Sequence, residues 1–133
     1  MADYTVKRID DLEAIYGGMF KRARAELGVR SFGMQVIDLP AGEERYPEHD
    51  HAEDGQEEVY LALRGWGEIE IEGDVHALDP DTMVRVGPGV TRKVRPGADG
   101  IRLLILGGVP GSAYEAPEIS ELGQPDPLAA QGG

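Results

Sequence analysis

Two histidines one residue apart, His49 and His51, are the residues of this chain whose spacing most directly suggests chemistry. On an extended backbone, side chains at i and i+2 project to the same side, so two imidazoles at that spacing converge on one metal ion. Glu58 opens the next apolar stretch and offers a carboxylate, whereas Glu57 faces the other way on a regular strand. Two histidines and one carboxylate form the ligand set of an open-sided non-haem iron(II) site, and they also suit Mn, Ni, Co or Zn. The plain alternative is a pair of solvated histidines in an acidic loop, since eight acids lie between Glu43 and Glu58. Tyr60 shares parity with Glu58, so it either hydrogen-bonds a ligand or packs in an interior wall. His76, just past Gly73-Asp74, reads as an exposed strand-edge residue.

The elements that must hold these residues are mostly strands. Phe32 to Leu39 alternates with period two and stops at Pro40. Val59 to Leu63 is a second strand, followed by Gly65-Trp66-Gly67 as a tight connection. Glu68 to Glu72 places Ile69 and Ile71 inward and the glutamates outward, and Gly73-Asp74 turns into Val75 to Leu78. Thr82 to Val86, Val90 to Arg95 and Ile101 to Leu106 complete a set of short strands punctuated by Pro and Gly. Such a set predicts an all-β sandwich or barrel. The N-terminal third predicts helix, with Asp10 and Glu13 in capping-box positions and a second helix over Met19 to Leu27 ended by Gly28. The segment after Val109, rich in proline, is expected to be extended or partly disordered, with Ile119 and Leu122 available to pack on the barrel or on another subunit.

The order Gly42, His49-x-His51, Glu58, six residues, Gly65, then Pro80-Asp-Thr and Gly87-Pro88-Gly89, resembles the two sequence motifs of the cupin superfamily. The resemblance spans about residues 32–107. It implies a cupin-type double-stranded β-helix, a jelly-roll barrel with a short helical N-terminal segment. The expected organisation is a helical appendage over 1–30, a barrel over 31–109 and a tail over 110–133. It also implies His49, His51 and Glu58 as ligands of a divalent metal (Fe, Mn, Ni or Zn). Any enzyme activity would be dioxygenase- or isomerase-like chemistry on a small polar substrate, and cupins of this size are commonly homodimers.

Two departures from the motif matter. The interval from His51 to Glu58 is longer than usual by Ala52-Glu53-Asp54-Gly55, so Glu58 takes its role from strand register. Where the second motif has its third histidine, this chain has Arg92. A guanidinium stays protonated and does not ligate metal. Three outcomes are open. Arg92 pairs with Glu58 and replaces the metal's charge, giving a metal-free ligand-binding or sensor module. Alternatively, the metal stays and Arg92 binds an anionic substrate beside it. In the third, Arg92 reaches the rim and pairs with Glu53, Asp54 or Glu57.

Composition narrows the rest. The chain has 133 residues, 41% of them hydrophobic, which suits one domain with a real core. Thirteen basic against 25 acidic residues give a net charge of −12, which argues against nucleic acid and anionic membrane surfaces as partners. The basic residues Arg85, Arg92, Lys93, Arg95 and Arg102 gather in the later strands, where they are expected to hold neighbouring acidic strands. With no cysteine, disulfides, thiolate metal sites and cysteine nucleophiles are excluded. No phosphate-cradling glycine loop follows a strand, so no nucleotide cofactor is expected, and no serine nucleophile elbow is present. The N-terminus lacks a basic stretch followed by an apolar run, and a cytoplasmic protein is expected. Val59, Leu61 and Leu63 form an apolar stripe opposite Glu58, which needs cover from the N-terminal segment or a second subunit.

Overall fold

The computed structural model describes residues 2–128. Seven strands form one antiparallel sheet wrapped on itself: β1 (Ala14–Ile15), β2 (Phe20–Lys21), β3 (Gly33–Leu39), β4 (Glu57–Ile71), β5 (Asp74–Leu78), β6 (Met83–Val86) and β7 (Arg92–Gly108). Their order is β1-β2-β3-β7-β4-β5, with β6 also paired to β4. The first half of β4 pairs with β6 and with the second half of β7, while its second half pairs with β5 and with the first half of β7. Two half-sheets therefore face each other, joined by the bends of β4 and β7. Their inner faces share one core that includes Ile37, Tyr60, Ala62 and Leu103 from one half and Ile69, Leu78 and Val94 from the other.

The strands expected as separate pieces on either side of Gly65-Trp66-Gly67, and on either side of residues 96–100, are continuous in the structure. Register shifts between Ala62 and Arg64 and between Gly65 and Gly67 bend β4 without breaking it. They also switch the inward parity, from Tyr60 and Ala62 to Ile69. Backbone crowding explains the glycines. A Cβ on Gly65, whose φ is +74°, would sit 2.3 Å from the Gly100 carbonyl oxygen, and one on Gly67 would sit 2.4 Å from that of Arg95.

At the N-terminus, helix is confined to a 3-10 turn at Ile9–Asp11 and to α1 (Ala23–Leu27). Between them the chain makes a hairpin whose turn uses positive φ at Tyr16, Gly17 and Gly18, and whose β2 extends the sheet beyond β3. The expected capping residues serve tertiary contacts instead: Asp10 pairs with Arg102, and Glu13 pairs with Arg22 at 2.8 Å. This segment lays Leu12 and Ala23 over Val36 on the outer face of β3.

Residues 110–126 are irregular apart from a 3-10 turn at Glu118–Ser120, residues 127–128 are helical, and the segment is docked on the body. Ser120 is fully buried, Ile119 faces the barrel mouth and Leu122 is exposed. Residues 129–133 of the expected tail lie outside the described residues. Among the described residues no helix is long and apolar enough to cross a membrane.

Candidate metal centre

The site is assembled where the acidic loop meets the start of β7. His49 and Arg92 exchange both backbone hydrogen bonds, at 3.0 and 2.9 Å, and the His51 amide donates to the Pro88 carbonyl at 2.7 Å. The loop between β3 and β4 is thus pinned as an extra extended edge, which turns both imidazoles to one side. Glu58 comes from the start of β4, opposite Val86 and Gly107. One donor atom each from His49, His51 and Glu58 lie within 4.8 Å of one another. Nε2 of His49 is 3.5 Å, and Nε2 of His51 3.1 Å, from Glu58 Oε1.

Each imidazole is oriented from its far side. Nδ1 of His49 lies 3.1 Å from the Pro47 carbonyl, and Nδ1 of His51 lies 3.0 and 3.1 Å from the two Asp54 oxygens. Both partners only accept, so both Nδ1 atoms carry the proton and each Nε2 faces Glu58. A histidine donating from one nitrogen to a carboxylate or carbonyl while the other faces a shared point is the arrangement that supports a metal. Nε2 of His51 is buried and makes no hydrogen bond of acceptable geometry. The residues fit a divalent ion on their donor chemistry and on this orphaned nitrogen.

The long interval between His51 and Glu58 has a structural use. It forms a turn closed by the Gly55 amide on the His51 carbonyl at 2.8 Å, with Asp54 also accepting from the Gln56 amide at 3.0 Å. That turn delivers Asp54 to His51. The sequence signal for Asp54 was the length of the interval itself, read only as a longer loop.

Arg92 is fully buried. Its Nη1 donates to Glu58 Oε1 at 3.0 Å and its Nη2 to the Gly87 carbonyl at 2.8 Å. The rim pairing with Glu53, Asp54 or Glu57 is absent: Asp54 faces His51, and Glu57 pairs with Arg85 at 2.7 Å. Tyr60 is fully buried and donates to Glu58 Oε1 at 2.6 Å. Burial alone would raise the Glu58 carboxyl, but the His49 and His51 imidazoles and the Tyr60 hydroxyl beside it outweigh burial and hold Glu58 well below the usual carboxylate range. The Glu58 carboxylate raises the His51 imidazole, burial opposes, and Asp54 adds to the rise. Burial, then neighbouring Tyr46 and Glu58, push the Tyr60 phenol far up. His76 is exposed on β5 and does not join the cluster.

Tyr46 was not singled out by its sequence position. Its ring meets that of His49 edge-on, with centroids 6.2 Å apart. Tyr46 also lines a cavity of about 480 Å³, together with β3, the N-terminal hairpin and the C-terminal segment.

No family sequence model matches this chain, and no curated protein matches it in sequence. Solved structures do. A cupin protein from Bacteroides fragilis superposes with a TM-score of 0.67 at 22% identity, covering 94% of this chain and all of that one. A putative sugar phosphate isomerase from Acidithiobacillus ferrooxidans gives 0.58 at 23%, covering 66% of this chain and 56% of that one. The cupin domain of a transcriptional regulator from Enterobacter cloacae gives 0.54 at 24%, covering 62% and 86%.

Proposed function

We propose that this protein, whose fold is that of the cupins, binds a small molecule beside a divalent metal held by His49, His51 and Glu58, with Arg92 standing where a third histidine would be. The observation that carries the reading is the pair of oriented imidazoles: both Nδ1 atoms face acceptors, so both Nε2 atoms face one carboxylate oxygen, at 3.1 and 3.5 Å. A cation between them would take both nitrogens and the carboxylate as ligands. Bound there, an Fe, Mn, Ni or Zn ion would supply Lewis acidity and open coordination positions. The chain's own residues do the rest: Pro47 and Asp54 orient the imidazoles, and Tyr60 and Arg92 hold Glu58 ionised.

A second reading is favoured by one observation, the fully buried Arg92 on Glu58 at 3.0 Å. That pair alone neutralises the carboxylate and suits a metal-free ligand-binding or sensor module. However, it leaves Arg92 Nε and His51 Nε2 buried without hydrogen-bond partners, and a half-satisfied buried network is expensive. The metal reading accounts for the second of these atoms.

The partners assigned are a small molecule and a second copy of the chain. Nucleic acid and membrane are not among them, given a net charge of −12. A cytoplasmic location goes with this reading, as a cysteine-free chain has no need of an oxidising compartment. The test is elemental analysis of untagged protein after incubation with Fe(II), Mn(II), Ni(II) and Zn(II), beside the His49→Ala/His51→Ala double variant. About one metal per chain, lost in the variant, is expected. No metal under any condition leaves the Arg92–Glu58 module.

A further inference from the structure

The cavity beside Tyr46 is walled by Ile37 and Leu39 of β3 together with parts of the chain that lie outside the barrel proper. The N-terminal hairpin contributes Tyr16, Met19 and Phe20, and the C-terminal segment contributes Ile119 and Leu128. Its volume of about 480 Å³ falls within the range of pockets that enclose small-molecule ligands.

The C-terminal wall is fixed in place. Arg22, only 1% exposed, donates from Nε to the Ile119 carbonyl and from Nη2 to the Gln124 carbonyl, both at 2.9 Å, and from Nη1 to Glu13 at 2.8 Å. Glu13 in turn accepts from the Gly123 amide at 2.9 Å. A buried guanidinium needs all of these acceptors, so it holds the segment in one position over the cavity. Ile119 and Leu128 then face a space that neither the hairpin nor the core fills.

The lining also sets the chemistry of the occupant. Arg45 is the one charged residue of the wall. It is largely exposed, at the rim, and its guanidinium is taken by Glu43 through two contacts of 2.9 Å. Among the described residues no free charge of either sign therefore lines the interior to hold an ion. The Tyr16 and Phe20 rings meet edge-on at 6.2 Å and offer an aromatic surface. Tyr46 lines this space and also meets the His49 ring, and Pro47, whose carbonyl orients His49, is a further residue of the wall.

We infer that this cavity binds a neutral small molecule with an apolar, aromatic or branched body, whose polar end is directed towards Tyr46 and His49. The inference rests on the metal reading only for the placement of that polar end. Occupancy of the cavity is a separate property.

The probe is neutral N-phenyl-1-naphthylamine, followed by its fluorescence on titration into the full chain. Its anionic relative 8-anilino-1-naphthalenesulfonate, with the same ring framework, is titrated beside it. Saturable binding of the neutral probe at one site per chain, at least tenfold tighter than the sulfonate, is expected. Ile119→Trp and Met19→Trp, which fill the cavity from opposite walls, should each weaken the neutral probe at least tenfold while keeping the wild-type melting midpoint within a few degrees. Equal affinity for the two probes, no saturable binding, or equal affinity in wild type and both tryptophan variants would overturn the inference. Probe binding lost in both tryptophan variants but no metal in the wild type would sink the metal reading and leave the cavity site standing. Metal without probe binding would do the reverse.

Discussion

Arg92 decides what the Glu58 carboxylate is worth. Buried carboxylates persist only when compensated, and here the compensation comes from one guanidinium, one phenol and two imidazoles on a single oxygen. Removing the guanidinium in Arg92→Ala leaves a buried charge without its permanently charged partner. A stability loss of about 3–5 kcal/mol is expected in metal-free protein, read from denaturant unfolding. Arg92→His puts an imidazole where the arginine stands, with the backbone pairing to His49 retained. That variant should bind Ni(II) or Zn(II) more tightly than wild type, measured by competition with a chromophoric chelator. If Arg92→Ala is as stable as the parent, the pair does not carry the charge of Glu58. If Arg92→His binds metal no better, the third position does not face the cluster.

At the scale of elements, an ion network ties the N-terminal segment to the barrel. Arg102 of β7 donates to Asp38 of β3 at 2.7 and 3.0 Å and to Asp10 of the first 3-10 turn. Burial would raise Asp38, but hydrogen bonding and charge from Arg102 outweigh it; the same arginine lowers the exposed Asp10. Both folded-state values lie below the ordinary carboxylate value, so the unfolded chain takes up protons first. The stabilisation is complete above about pH 4 and is lost as pH falls through the lowered values. Asp38→Asn should therefore melt below wild type at pH 6, and the gap should close between about pH 4 and pH 2. Parallel melting curves across that range would exclude the linkage. These contacts also mark where the sequence was readable and where it was not. His49, His51, Glu58 and the barrel strands could be read because period-two alternation and i, i+2 spacing are local properties. The hairpin over residues 14–21 was not, because Gly17-Gly18 reads equally as a helix breaker, and only pairing of Phe20 with Ile37 makes it a strand. The unbroken β4 and β7 escaped for a related reason: the bulges that bend them look like turns until the opposing strand is seen. Asp54 and Tyr46 act through contacts with His51 and His49 that no spacing rule encodes.

At the scale of the whole molecule, the outer face of the barrel is covered unevenly. Register places Met83, Leu61, Leu104 and Val36 in one row across β6, β4, β7 and β3. Exposure rises along it, from 2% at Val36 beneath the N-terminal segment, through half-buried Leu104 and Leu61, to 78% at Met83. Leu63, 38% exposed, adds to the open end. β6 pairs on one side only, so this end is also a sheet edge, where apolar side chains invite association. The occupant expected is a second copy of the chain, with the row covered from one end by the chain's own N-terminus and from the other by its partner. Light scattering coupled to size exclusion should then give twice the chain mass of 14.4 kDa. Met83→Glu combined with Leu63→Lys should give the single-chain mass with the fold intact. Salt distinguishes the driving force. Each copy carries a net charge of −12, so mutual repulsion opposes assembly and is screened as ionic strength rises. An apolar dimer should therefore tighten between 0.05 and 0.5 M NaCl, whereas one held by ion pairs would loosen. A single-chain mass at tens of micromolar and high salt would mean that Met83 and Leu63 face water in the working protein.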